Sequence, residues 1–83
     1  MNESSSELLE LEALLSKVER LGDFQVGNSL NPNYTSVKTD FDKLLDHLDQ
    51  YHLNAKQFVD QTLKANPNVT YIEILKLIQE KLL

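Results

Sequence analysis

Apolar residues recur every three or four positions near the start of the chain, which is the spacing of one face of an α-helix. Ser4 and Glu7 have the spacing of a capping box, in which a hydroxyl and a carboxylate each satisfy a free backbone N–H. Gly22 can adopt the left-handed conformation that ends many helices. We therefore predict a first helix at about 6–21. Its apolar positions are Leu8, Leu11, Leu14, Leu15, Val18 and Leu21.

Two more helices are predicted in the middle of the chain. The first covers about 35–51, and its apolar face comprises Val37, Phe41, Leu44, Leu45, Leu48 and Tyr51. The second covers about 54–65, because Asn54 and Gln57 have the spacing of another N-terminal cap. It is expected to end before Pro67, since a proline disfavours the helical conformation in the residue that precedes it.

The last helix is predicted at about 70–83, with Thr70 and Glu73 as its capping box. Its polar face is narrow and holds Glu73, Lys76 and Glu80. Apolar residues cover the remaining arc of about 220°, which is wider than one core-facing stripe requires. The pattern indicates a helix that is either buried on two sides or in contact with another chain.

Residues 22–34 separate the first helix from the others and contain both glycines of the protein. Thirteen residues are near the upper limit for an unstructured loop in a compact domain. The segment also carries apolar residues, among them Phe24 and Leu30. We interpret it as a loop held against the bundle by these two side chains. The alternative is a segment that becomes ordered on a partner.

The phrase Asn-Pro-Asn-x-Thr occurs at 31–35 and again at 66–70, each time just before a predicted helix. Proline fixes its own φ angle, and asparagine tolerates turn conformations. A threonine at the end of such a turn is well suited to cap the following helix. We therefore predict that the phrase is a turn followed by a cap, with Thr35 and Thr70 as the capping residues.

Together these elements predict an all-α protein, a small four-helix bundle that forms a single domain over 1–83. Short loops are expected between the last three helices, which form a C-terminal unit. Residues 1–5 are expected to be a flexible N-terminus. The linker at 22–34 gives the first helix the freedom to pack elsewhere or on a second chain.

The formal net charge of −5 makes direct binding to nucleic acid unfavourable, because an acidic chain repels phosphate groups. There is no cysteine, so disulfides and thiolate metal sites are excluded. The apolar runs are far shorter than the ~20 residues that a membrane span needs. The N-terminus is acidic and lacks the basic region of a signal peptide. We expect an intracellular, cytoplasmic protein.

No constellation of catalytic residues is apparent in the sequence. Serine does not occur in a nucleophile elbow, and the glycines do not form a phosphate-binding loop. His47 and His52 are five positions apart, so they do not lie above one another on a helix as residues four apart would. A weak zinc site with Asp46 and Asp49 is conceivable, but solvated helix residues explain the pattern better. We expect no enzymatic activity, no cofactor and no metal.

The surplus apolar surface of the last helix favours a non-catalytic protein–protein interaction module. Such a module would be a small subunit, an adaptor or a chaperone of a larger assembly. Its partner would be another protein or a second copy of this chain, as in a homodimer. The candidate apolar contact residues are Ile74, Leu77, Ile78 and Leu82 in the last helix and Phe24 and Leu30 in the linker.

The alternative is a small acidic inhibitor or immunity-type protein that blocks a basic site on a target protein. Asp42, Asp46 and Asp49 are spaced at i, i+4 and i+7, which places them on one face of the second helix. We call these three residues the acidic stripe. A solvated outer face is the simpler explanation of the acidic stripe.

Overall fold

The computed structural model describes residues 4–83, with side chains from Ser6 onward. The prediction of a small all-α four-helix bundle is confirmed. The helices are α1 at Ser4–Leu21, α2 at Tyr34–Gln50, α3 at Ala55–Ala65 and α4 at Tyr71–Leu82. Of the predicted N-terminus at 1–5, the described residues 4 and 5 are helical, and the remainder lies outside the described part. The predicted capping box of α1 depends on the Ser4 side chain, which also lies outside it.

The helices pack in a closed ring. In the described part of the chain, α1 contacts α2 and α4, α2 contacts α3, and α3 contacts α4. The first helix is therefore part of the bundle and does not pack elsewhere, although the length of the linker would have allowed it. Its packing against both α2 and α4 closes the bundle around one shared core.

The core is built from the apolar stripes that the sequence pattern indicates. Burying a large aliphatic or aromatic side chain completely contributes about 1.5–3 kcal/mol relative to leaving it exposed. The contributions come from all four helices, so each helix buries its apolar face against the others. The fully or almost fully buried residues are Leu11, Val18, Val37, Phe41, Leu44, Leu48, Ala55, Val69, Tyr71, Ile74, Leu75 and Ile78.

The linker after α1 runs along the start of α4. Gly22 has a φ of +93°, which confirms its predicted role at the end of α1. The Val26 N–H donates to the Val69 carbonyl at 2.9 Å, and Phe24 is buried in the core. Leu30 is 92% exposed, so only the first of the two predicted anchors holds the linker against the bundle.

The first turn of α4 has partners for all four of its otherwise free N–H groups. Tyr71 N–H donates to the Phe24 carbonyl at 3.0 Å, and Ile72 N–H donates to the Asp23 carboxylate at 3.1 Å. The Glu73 N–H donates to the Thr70 hydroxyl at 3.2 Å. The Thr70 N–H in turn donates to the Glu73 carboxylate at 2.9 Å, which completes the predicted capping box.

The two copies of the repeated phrase form the same turn. The Asn31 side chain accepts a hydrogen bond from the backbone N–H two residues later at 2.8 Å, and Asn66 does the same at 3.2 Å. In both copies the carbonyl of this asparagine also accepts from the N–H three residues later. The prediction that Thr35 caps a helix is wrong, because α2 begins one residue earlier, at Tyr34.

The predicted cap of α3 is also wrong. Asn54 has a left-handed backbone, with φ 54° and ψ 42°, and its side chain makes no capping hydrogen bond. The Asp49 carboxylate, which lies near the end of α2, instead accepts from the Ala55 N–H at 2.5 Å. One of the acidic stripe's three carboxylates thus serves as the cap of the next helix.

Candidate partner-binding groove

The helices α3 and α4 and the loop between them border an open groove with a volume of about 590 Å³. Its apolar lining is Phe58, Ala65, Val69 and Leu77, and its polar lining is Gln61, Thr62, Asn66, Glu73, Lys76 and Glu80. The groove therefore has apolar residues from both helices and from the loop. It is a place where an apolar surface of another molecule could be removed from water.

The α4 side of the groove is one face of that helix. Glu73, Lys76, Leu77 and Glu80 are spaced at i, i+3, i+4 and i+7, which aligns them along the helix. The core-facing side of α4 holds Ile74 and its buried neighbours. Leu77 is thus an apolar residue within the otherwise charged face, and it is the residue of α4 that gives the groove its apolar character.

The α3 side of the groove is likewise one face of a helix. Phe58, Thr62 and Ala65 are spaced at i, i+4 and i+7 and form the wall opposite α4. The Thr62 hydroxyl donates to the Phe58 carbonyl at 2.8 Å within α3. Because this hydroxyl already has a partner, it requires none from a molecule in the groove.

The structure places the six predicted apolar contact residues in different environments. Ile74 and Ile78 are completely buried in the core, and Phe24 is buried beside them. Leu82 is half-buried and packs against the core. Leu30 is exposed on the linker. Leu77 is the one of the six predicted residues that lines the groove.

Phe58, Ala65 and Val69 belong to the groove although the sequence did not indicate them as contact residues. The structure shows Phe58 half-buried on α3, where it packs against the edge of the core. Val69 is the variable position of the second Asn-Pro-Asn-x-Thr phrase. The apolar character of that position was the only available indication that it meets other side chains.

All carboxylates of the acidic stripe have partners within the chain. Asp42 pairs with Lys38 at 2.6 Å, and Asp46 pairs with Lys56 on α3 at 2.5 Å. The hydrogen bonds to these carboxylates, followed by their charges, raise the pKa of both lysines. With Asp49 acting as the cap of α3, the stripe contributes to the internal contacts of the bundle.

Two further ion pairs connect α1 and α2. Lys17 pairs with Asp40 at 2.7 Å, and the His47 ring nitrogen Nδ1 lies 2.7 Å from the Glu10 carboxylate. The hydrogen bond to Glu10, and then its charge, raise the pKa of His47. A smaller cleft of about 320 Å³ borders these pairs and is lined by residues of both charge signs. Because both acidic and basic side chains line it, the cleft does not present a surface of one charge sign.

The Tyr71 hydroxyl is buried and is not poised to ionise. Burial raises its pKa to about 12, which is further above physiological pH than the pKa of an ordinary tyrosine. Its ring packs edge-on against Phe24 and Phe41, with centroid distances of 5.0 and 5.3 Å. Within residues 4–83, no three histidine or acidic side chains are grouped so that they could hold a metal ion.

Comparison of the chain with protein-family models, with curated proteins and with solved structures gave no match. None of the helices in the described part of the chain is both long enough and apolar enough to cross a membrane. The groove between α3 and α4, with its apolar lining and charged rim, is the feature from which a function can be proposed.

Proposed function

We propose that the protein is a non-catalytic interaction module that binds an amphipathic helix of a partner protein in the groove between α3 and α4. The observation that carries this proposal is the combination of an open groove with apolar residues from both bordering helices. Amphipathic helices bind such grooves through apolar side chains at i, i+3, i+4 and i+7.

The dimensions of the groove suit a short helix. Phe58 to Ala65 on one side and Glu73 to Glu80 on the other are each seven residues apart, or about 10.5 Å along a helix axis. A bound helix would therefore contact the groove over about two turns. The volume of about 590 Å³ can hold several apolar side chains.

The energetic reason for binding is the apolar surface that the fold leaves accessible. Phe58 and Leu77 are half-buried, and Ala65 is exposed. A partner that covers them gains about 25 cal/mol for each Å² of apolar surface removed from water. The residues beneath the groove are already packed, so the groove does not have to form before binding, which reduces the cost of association.

A small subunit, an adaptor and a chaperone would all use such a groove. The alternative, an acidic inhibitor that binds through the acidic stripe, has less support from the geometry. Asp42 and Asp46 are paired with lysines, and Asp49 caps α3. A basic target would have to compete with these internal contacts.

The proposal can be tested by selecting binders from a displayed library of amphipathic helices of about 15 residues. The apolar positions of the library are fixed as leucine at i, i+3, i+4 and i+7. We expect selected peptides to shift NMR resonances of residues in α3 and α4 that border the groove. The Leu77→Gln substitution, which keeps a good helix former at that position, should weaken their binding at least several-fold.

The matched control is Leu9→Gln. Leu9 is 68% exposed on α1, outside the groove, and its substitution should leave peptide binding unchanged. Failure to select any binder, or binders whose resonance shifts lie outside α3 and α4, would contradict the proposed function. Equal affinities for the native protein and the Leu77→Gln variant would contradict it as well.

A further inference from the structure

We infer that the partner helix carries a basic, an acidic and a second basic residue along the flank that faces α4. The inference rests on the proposed function, because it describes what the groove would select among amphipathic helices. Its basis is the order of charges on the rim, which is Glu73, Lys76 and Glu80.

The two rims of the groove differ in charge. The α4 rim carries three charged side chains, whereas the polar residues of the α3 wall are the uncharged Gln61, Thr62 and Asn66. Charge selection therefore operates on only one flank of a bound helix. A bound helix must therefore be rotated so that its charged flank faces α4.

The charges on the α4 rim are accessible to a partner. Glu73 uses one carboxylate oxygen, Oε1, in the capping box, which leaves Oε2 for a partner. Glu80 is exposed, and its ion pair with Lys81 is loose at 3.6 Å. Among the residues that the structure describes, no carboxylate lies within 4.0 Å of the Lys76 ammonium.

The spacing of the rim residues matches the spacing within a second helix. Glu73 and Lys76 are about 4.5 Å apart along the axis of α4, and Lys76 and Glu80 are about 6 Å apart. A helix lying along the groove presents side chains at the same intervals when they are at i, i+3 or i+4, and i+7. The complementary residues are therefore Lys or Arg at the first and last of these positions and Asp or Glu between them.

The α4 rim of a second copy of this chain fits this rim poorly. If two α4 rims were aligned in parallel, Glu73 would face Glu73, and if they were aligned antiparallel, it would face Glu80. Either arrangement places like charges opposite one another, which is unfavourable. The net charge of −5 on each copy adds to the repulsion. A basic flank on a different protein avoids both costs.

The test uses a second displayed library in which the three flank positions are each Lys, Glu or Gln. Selection on the native protein should enrich the order Lys, Glu, Lys. The double variant Lys76→Glu with Glu80→Lys reverses the last two charges of the rim. Selection on it should enrich Lys, Lys, Glu if the helix runs parallel to α4 and Glu, Lys, Lys if it runs antiparallel. The exchange keeps an i, i+4 pair of opposite charge between positions 76 and 80 but places like charges at 73 and 76. Circular dichroism checks that the variant keeps the helix content of the native protein.

Synthetic peptides with the native charge order and with the order selected on the double variant are each titrated against both proteins. Each peptide should bind more tightly to the protein on which its order was selected. A single exposed ion pair changes affinity by about two- to fivefold, so two reversed positions should give roughly a tenfold difference at low salt. High salt should reduce that difference. The Glu73→Gln variant removes one charge while keeping the capping box, and it should weaken the preference only at the flank position that faces residue 73.

The possible results separate the inference from the proposed function. Peptides that bind in the groove with equal affinity for every charge order would overturn the inference and leave the groove as a binding site. A preference for Glu, Lys, Glu would also overturn it. If no peptide binds in the groove, the proposed function fails and the inference fails with it. Sedimentation equilibrium that shows a dimer blocked by Leu77→Gln would assign the groove to a second copy and overturn the inference.

Discussion

The Asp49 carboxylate on α2 caps α3 by accepting a hydrogen bond from the Ala55 N–H at 2.5 Å. The contact crosses the turn between the two helices and fixes where α3 begins. Because the cap comes from α2, the start of α3 depends on the packing of α2 as well as on its own sequence. The acidic stripe is therefore part of the fold, and substitutions in it are expected to change stability.

We predict that Asp49→Ala lowers the free energy of unfolding by about 1 kcal/mol, because it leaves the first N–H of α3 without its cap. Urea denaturation followed by circular dichroism measures this change. Asp42→Ala is the matched control, since it removes only an exposed pair with Lys38 and should cost at most about 0.5 kcal/mol. Equal costs for the two variants would show that Asp49 is not the cap.

We predict that His52→Gly stabilises the protein by about 0.5–1 kcal/mol. His52 follows α2 with a φ of +62°, and its N–H donates to the Asp49 carbonyl at 3.0 Å. This left-handed position is usually occupied by glycine, because a Cβ atom strains it. His52→Ala removes the imidazole but keeps the Cβ atom, so it should give no such gain. Thermal or urea unfolding of the two variants distinguishes relief of backbone strain from loss of the ring.

We predict that Ile74→Ala and Leu77→Ala have very different effects on stability, although the two residues are three positions apart on α4. Ile74 is completely buried, so its truncation should cost about 2–5 kcal/mol. Leu77 is half-buried in the groove and should cost about 1 kcal/mol or less. Comparable losses in urea denaturation would place Leu77 in the core and remove the basis for a binding groove.

We predict that alkaline pH destabilises the protein through Tyr71. Its pKa is about 12 in the folded protein, against 10.0 for an ordinary tyrosine, because its hydroxyl is buried. The raised value favours the neutral form in the folded state. This stabilisation is fully present below pH 10 and is lost as the pH rises towards 12, a change on the order of 2 kcal/mol.

The Tyr71→Phe variant tests this assignment, because it keeps the ring and removes the ionisable hydroxyl. Its stability should fall less steeply between pH 10 and 12 than that of the native protein. At neutral pH it should lose no more than about 1 kcal/mol. Identical alkaline unfolding curves would show that another group controls the transition.

We predict that the pKa of His47 decreases when Glu10 is replaced by glutamine. The hydrogen bond and the charge of Glu10 raise this pKa, so the ion pair stabilises the protein fully below pH 6.5 and is lost as the pH rises through the folded-state value. NMR titration of the His47 ring resonances in the native protein and in the Glu10→Gln variant measures the shift. High salt should reduce the shift in the native protein, since the pair is exposed.

Local sequence determined the positions of the helices. Their apolar residues repeat every three or four positions. Gly22 follows the end of α1, and Thr70 and Glu73 form the capping box of α4, as the sequence predicted. Each of these features depends on residues within one or two turns of each other, and such interactions can be recognised in any fold. The capping of α4 was therefore predictable, as was the end of α1.

Only the tertiary structure decided which surfaces and caps are used. The Asp23 carboxylate reaches the Ile72 N–H across forty-nine positions of the chain, a contact that exists because the linker lies along the start of α4. The wide apolar arc of α4 is divided between contacts with α1, contacts with α3 and the groove. Helical periodicity shows that Ile74 and Leu77 are apolar, but the positions of the neighbouring helices determine which of them is buried. Those positions follow from packing across the whole chain, which a local pattern does not contain.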